Sequence, residues 1–258
     1  MHHLAASTLR SLAFLTRLPP SKSAFTGEHP LGLDAHAFPL AGLLAALPAA
    51  LLILLGSWLG LSATTVALIA VTAMVVVTGG LHEDGLGDVA DGLGGHKPKA
   101  KALAIMKDSR IGAYGALALI LSLALRVALL SELIWAHAGL AALAFVTVAA
   151  ASRGAMAWLW SSLPSADPRG LAASVGQPSL RTGRIAGLVG GALLVVGGLF
   201  AGPLGSILPL LFGLLILGQF RKFITHRLGG QTGDCLGAAQ QLTEIAALLG
   251  FAIAVSAG

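Results

Sequence analysis

The sequence predicts an all-α protein: a polytopic integral membrane helical bundle of about seven transmembrane helices, preceded by an amphipathic surface helix. Three observations carry this. Of 258 residues, 56% are hydrophobic and only 10% charged, where soluble domains have about a quarter charged. The mean hydropathy of +0.86 describes more apolar surface than one water-soluble core can hide, and lipid is the solvent that removes that cost. The basic residues, finally, gather in alternate connections between apolar runs, as cytosolic loops do.

Residues 4–18 open the chain as the amphipathic helix. Arg10 and Arg17, seven apart, fall on one face, and Pro19 and Pro20 close it. No small-residue cleavage site follows, so a signal peptide is not expected. Runs near the 20 residues needed to cross a bilayer are residues 38–59, 63–81, 111–135, 140–160, 185–200, 207–222 and 236–255, the fifth and sixth being short. The connections at 56–62, 131–139 and 201–206 contain no Lys or Arg and face outward. The opposite ones hold Lys97, Lys99, Lys101, Lys107 and Arg110, then Arg169, Arg181 and Arg184, then Arg221, Lys222 and Arg227, and read as cytosolic. No internal repeat or linker divides residues 1–258, which read as one membrane-embedded domain. The excess of 16 Lys and Arg over 11 Asp and Glu is scattered without aromatic interleaving, which excludes a nucleic-acid surface. The single Cys235 excludes an intramolecular disulfide.

Every polar, glycine-rich motif falls on the cytosolic side. The first, TGGLHEDGLGDVADGLGG at 78–95, places Glu83, Asp84, Asp88 and Asp91 at the end of the second apolar run. If the helix continues through it, Asp84, Asp88 and Asp91 are at i, i+4 and i+7, within roughly a 60° arc, while Glu83 lies about 100° from Asp84. Like charges on one helix face near lipid repel and call for a cation. Oxygen-only ligands select a hard ion, and Mg²⁺ is usually held by a few carboxylates with substrate phosphates completing its shell. The competing readings are a solvated acidic cap and an ion-transport site; transport sites lie nearer the bilayer midplane than this edge.

The second motif, IMKDSRIGAYG at 105–115, sets Lys107 and Arg110 around Asp108 and Ser109, two cations and a carboxylate suited to phosphate and metal, or an orientation anchor. The third, LGGQTGDCLGA at 228–238, carries Gln231, Thr232 and Asp234 in a turn whose backbone N–H groups can cradle phosphate; Asp234 adds a metal ligand or caps the following helix. Arg126 and Arg153 sit inside apolar runs and should face the bundle interior, Arg153 near enough to the cytosolic side to contact a phosphate, Arg126 deeper and paired with a carbonyl or carboxylate. His82 reads as a hydrogen-bonded helix-end histidine, with metal binding or proton transfer as the alternative.

The run of TGGLHEDGLGDVADGLGG, IMKDSRIGAYG, SRG at 152–154 and LGGQTGDCLGA, in this order across most of the chain, resembles the cobalamin 5′-phosphate synthase family, the adenosylcobinamide-GDP ribazoletransferases. The resemblance implies a multi-pass enzyme of the bacterial cytoplasmic (inner) membrane with its site facing the cytosol, joining adenosylcobinamide-GDP to α-ribazole or its 5′-phosphate with release of GMP and a requirement for Mg²⁺. It carries over Asp84, Asp88 and Asp91 of the DGxxDxxDG element, Asp108, Ser109 and Arg110 of DSR, and Gln231 and Asp234 of GQTGD. The expected roles are metal ligation by Asp84, Asp88, Asp91, Asp108 and Asp234, catalysis by Asp84, Asp88, Lys107 and Arg110, and substrate binding by Ser109, Arg153, Gln231 and Thr232. A corrinoid nucleotide, an α-ribazole and the lipid bilayer are the expected partners, with room for a homo-oligomer or for other cobalamin-assembly enzymes. A CDP-alcohol phosphotransferase shares setting and chemistry, but Asp84-Gly85 is followed by Leu86, Gly87 and Asp88 where that pattern has Ala-Arg. A cation or corrinoid transporter is the second rival.

Overall fold

The computed structural model describes residues 2–19 and 30–257, so Pro20 at the end of the N-terminal helix lies outside the described residues. Among those residues the chain is all-helical, with one isolated bridge between Ser165 and Gln231. The elements are α1 (His2–Leu15), a 3-10 turn (Leu31–Ala37), α2 (Phe38–Trp58), α3 (Ala63–Thr78), α4 (Leu81–Leu93), α5 (Lys99–Met106), α6 (Ala113–Ala136), α7 (Ala138–Ser162), α8 (Leu171–Ser174), α9 (Leu180–Gly198), a 3-10 turn (Leu199–Ala201), α10 (Gly202–Leu228) and α11 (Gly233–Ser256).

Five helical stretches among the described residues are long and apolar enough to cross a membrane: Leu31–Trp58, Ala113–Ala136, Ala138–Ser162, Leu180–Leu228 and Gly233–Ser256. A sixth appears if the bent pair α3 and α4 counts as one. The Leu180–Leu228 stretch folds back on itself. Ser206 Oγ donates to the Val195 carbonyl at 3.3 Å, Gly198 lies against Gly205, and Leu210 reaches Gly191. Both short spans expected at 185–200 and 207–222 therefore exist, as the antiparallel helices α9 and α10, each beginning earlier than its apolar run. Ser179 starts α9 by accepting from the Thr182 N–H at 3.1 Å.

Helix α7 is the hub. It packs against α2, α9 and α11, and most of its length is buried. Small residues make this possible, since lipid gives helices no hydrophobic drive to associate and close backbone approach must supply the contact. A Cβ on Gly154 would strike the Ala186 carbonyl, and one on Gly42 the Ala149 carbonyl.

Two expectations change. The second span does not run on into the acidic motif. Helix α3 stops at Thr78, and Gly79 (φ +67°) and Gly80 (φ +72°) both take the left-handed conformation that only glycine adopts at little cost. The chain turns by 89° before α4 restarts at Leu81. The i, i+4, i+7 spacing of Asp84, Asp88 and Asp91 survives because α4 is itself regular. The N-terminal helix, expected over residues 4–18, runs over His2–Leu15 and docks one face on protein. Ser7, Ser11 and Leu15 are buried, and Arg10 forks onto Asp34 in the first 3-10 turn, Nε to Oδ2 at 2.6 Å and Nη2 to Oδ1 at 2.8 Å. Its Leu4 and Leu9 remain exposed. Arg17 lies beyond the helix, its backbone N–H donating to Val77 and its side chain lying along Gly79.

Candidate active site

A cavity of about 340 Å³ opens where α4, the end of α5, the 163–170 loop after α7, and the start of α11 converge. Its rim carries Asp84, Lys107, Asp167, Thr232 and Asp234; its floor is apolar, with Phe14, Leu15, Phe38, Met156, Trp160 and Leu236. Residues from all three motifs thus meet in one place, although they are separated by up to 150 positions in the chain.

Local structure explains the convergence. A Cβ on Gly85 would overlap the Asp234 backbone, so a side chain there would hold α4 and α11 apart; as glycine it lets Asp84 and Asp234 approach. The Gln231 N–H donates to the Pro164 carbonyl at 2.9 Å, and the Ala166 N–H donates to the Gln231 carbonyl at 2.8 Å. That pairing clamps the loop bearing Asp167 to the third motif. Thr232, not Asp234, caps α11: its Oγ1 accepts from the Cys235 N–H at 3.3 Å. Asp234 is left to face the cavity, 3.3 Å from the Thr232 hydroxyl.

Charge is unevenly paired. Lys107 Nζ lies 2.6 Å from Asp167 Oδ2, and that hydrogen bond holds the Asp167 carboxyl below the usual carboxylate range. Among the described residues no hydrogen bond or ion pair engages the side chain of Asp84 or Asp88, while Asp84, Asp234 and Asp91 all act electrostatically on Asp88. No three His, Cys, Asp or Glu side chains among the described residues converge closely enough to cage a metal ion unaided. An octahedral Mg²⁺ does not need such a cage, since one or two carboxylates plus substrate phosphates and waters suffice. Unpaired Asp84 beside Asp234 on the rim, with Asp88 one turn further along, fits that form of binding.

Other predicted residues are placed elsewhere. Asp91 accepts from the Gly112 N–H at 2.7 Å and the Gly115 N–H at 2.9 Å, satisfying the open N-terminus of α6. Asp108 is closed on its own loop by Arg110, Nη2 to Oδ2 at 2.6 Å, which brings its carboxyl down to about 2. That pair and Ser109 are outside the cavity lining, and the Arg110 side chain is 87% exposed. Gln231 is buried, with neither amide atom of its side chain bonded. Lys97, expected as an orientation charge, donates to the Asp91 carbonyl at 2.8 Å, and Arg227 donates to the Leu93 and Gly95 carbonyls, so both tie down the end of α4.

Arg153, expected to reach a phosphate, lies 2% exposed with Nη1 3.1 Å from Glu244 Oε2. Arg126 bridges Glu83 at 2.8 Å and Glu244 at 3.2 Å, and Gln240 and Gln241 donate to the two glutamates. This buried network ties together α4, α6, α7 and α11. Sequence reasoning missed Glu244 and Asp167. A lone carboxylate within the last apolar run, with two arginines in other runs needing counter-charge, was a signal for Glu244; Asp167, in a polar loop, offered none.

Bundle and cavity together define a multi-pass membrane protein with a charged-rimmed, apolar pocket at one end. The chain belongs to the cobalamin-5-phosphate synthase family, whose sequence model matches residues 7–252. It is similar to proteins named adenosylcobinamide-GDP ribazoletransferase from Rhizobium etli (47% identical over 257 residues, 97% of this chain and 98% of the relative), Sinorhizobium medicae (45% over 253 residues, 95% of each) and Brucella ovis (43% over 255 residues, 98% of each). No solved structure gives a significant match.

Proposed function

We propose that this chain is an adenosylcobinamide-GDP ribazoletransferase, joining adenosylcobinamide-GDP with α-ribazole or α-ribazole 5′-phosphate and releasing GMP, dependent on Mg²⁺, in the bacterial cytoplasmic membrane with its cavity open to the cytosol. Family membership and near full-length relatives of that name support the reaction. The observation that carries the site is the meeting of Asp84, Lys107, Thr232 and Asp234 on one rim. The basic connections at the same end support the cytosolic orientation.

The chemistry follows from that rim. An acceptor hydroxyl oxygen bonds to the cobinamide-side phosphorus, the phosphoanhydride P–O bond breaks, its electron pair leaves on GMP, and the hydroxyl proton passes to a base. Negative charge grows on the bridging and leaving oxygens. Lys107, aimed by Asp167, places an ammonium beside them. Asp84 and Asp234 would hold Mg²⁺, which would supply further positive charge to the phosphate oxygens. Asp88 adds to the negative potential that draws the ion in, and the apolar floor excludes water that would hydrolyse the donor.

Purified protein incubated with adenosylcobinamide-GDP and α-ribazole 5′-phosphate should release GMP and form the joined corrinoid only with Mg²⁺. GMP release that ignores magnesium, or no joined corrinoid at all, overturns this function.

A further inference from the structure

We propose that the cavity seats the nucleoside acceptor rather than the corrinoid donor, with His82 as the side chain that recognises the acceptor's base. The inference rests on the function above and names which of its two substrates this pocket takes. His82 stands on the first turn of α4, is 1% exposed and lines the cavity, yet neither ring nitrogen has a hydrogen-bond partner. An imidazole is both donor and acceptor when neutral, and such groups are rarely left buried and unmet unless something else satisfies them. It stands two residues before the rim carboxylate Asp84 on the same helix, buried where Asp84 is exposed.

The walls there are apolar. Leu81 is exposed there and Phe14 and Leu103 partly so, while Phe38 and Trp160, with ring centroids 6.0 Å apart and the indole N–H given to the Ala172 carbonyl at 3.2 Å, are almost fully buried. A matching ligand has a phosphate or sugar end at the rim and a flat, mostly apolar ring with one polar atom below. The benzimidazole-type base of ribazole, with a single free ring nitrogen, has that form. Guanine does not: donors and acceptors along its edges would be left unpaired against this floor. Size agrees, because about 340 Å³ is at the small end of ligand pockets and a corrin macrocycle cannot enter. The donor then reaches the rim with its diphosphate alone.

The test compares His82→Ala and His82→Gln with the natural protein. Loss of one hydrogen bond to the acceptor should raise KM for α-ribazole 5′-phosphate about tenfold and leave KM for adenosylcobinamide-GDP within about twofold, with Gln recovering part of the loss. Equilibrium dialysis of α-ribazole 5′-phosphate against detergent-purified protein should show the same weakening without turnover, and GMP should fail to displace the nucleotide. Met156→Phe, which puts a bulkier side chain in the cavity lining and leaves His82 unchanged, should weaken α-ribazole 5′-phosphate in the same assay. A shift in the donor's KM instead, displacement by GMP, or unchanged acceptor binding in His82→Ala and Met156→Phe overturns the assignment. Dialysis reads acceptor binding even if the natural protein makes no joined corrinoid, so failure of the proposed reaction and failure of this inference are told apart.

Discussion

Arg126 Nη2 lies 2.8 Å from Glu83 Oε1, and the same guanidinium reaches Glu244 at 3.2 Å, so the residue immediately before the rim carboxylate Asp84 is anchored in the bundle interior. Removing one member of a buried pair leaves an uncompensated charge, costing about 3–5 kcal/mol. Arg126→Ala strands two glutamates against the single remaining Arg153. The expected outcome is a large drop in thermal unfolding temperature in detergent. The double variant Glu83→Gln/Arg126→Gln keeps Glu244 and Arg153 balanced, and should be less destabilised than Arg126→Gln alone, a coupling that a double-mutant cycle reads directly.

Asp84 and Asp91 share a helix face but not a task. Asp84 is unpaired on the cavity rim, whereas both Asp91 oxygens accept from backbone N–H groups of α6. Asp84→Asn, and likewise Asp88→Asn, should cut kcat by about 10²-fold or more, as loss of charge stabilisation at a phosphoryl site does, with unfolding temperature held. Asp91→Asn should behave oppositely, losing about 1 kcal/mol of stability through a weakened cap with a smaller effect on turnover. Equal loss of turnover in folded Asp84→Asn and Asp91→Asn would contradict this division.

How much of this was legible in the sequence depends on where each residue's partner lay. Helical class and membrane setting follow from composition, because lipid forces backbone polar groups to pair within each segment. The inward placement of Arg126 and Arg153 follows from the cost of a lipid-facing charge. Their partner Glu244 is 118 and 91 positions away, and no local pattern encodes such a pairing. Helical spacing groups Asp91 with its neighbours, because spacing is all a sequence displays; its link to Gly112 and Gly115 depends on how α4 meets α6. The Gly79-Gly80 pair was visible, but glycine permits a turn without demanding one.

Lys107 and Asp167, 2.6 Å apart on the rim, form the ion pair through which the 163–170 loop acts on the site. The Asp167 carboxyl is held below its usual range, so the pair's contribution is complete above about pH 4, the ordinary aspartate value, and fades as acid protonates it at lower pH. Turnover between about pH 5 and 9 should therefore owe none of its pH dependence to Asp167. Lys107→Met should lower kcat/KM by about 10²-fold. Asp167→Asn, which keeps the ammonium but loosens its aim, should cost less, and a loss equal to that of Lys107→Met would show Asp167 acting on its own account.

The bend at Gly79 and Gly80 separates a backbone effect from a packing one. A Cβ on Gly80 meets open space, while one on Gly79 would overlap the Arg17 side chain that crosses the turn. Both positions have φ near +70°, where a side chain costs about 1 kcal/mol or more. Gly80→Ala should lose roughly that amount, and Gly79→Ala should lose more, because Arg17 must also move. Since this turn aims α4 at α11, both variants should reduce turnover more than an equally destabilising change remote from the cavity, such as Gly197→Ala, where a Cβ meets Thr147 on α7. Unfolding temperature and kcat measured on all three variants decide it: activity that tracks stability alone would mean the bend merely joins two helices, whereas extra loss at 79 and 80 means it aims the acidic face.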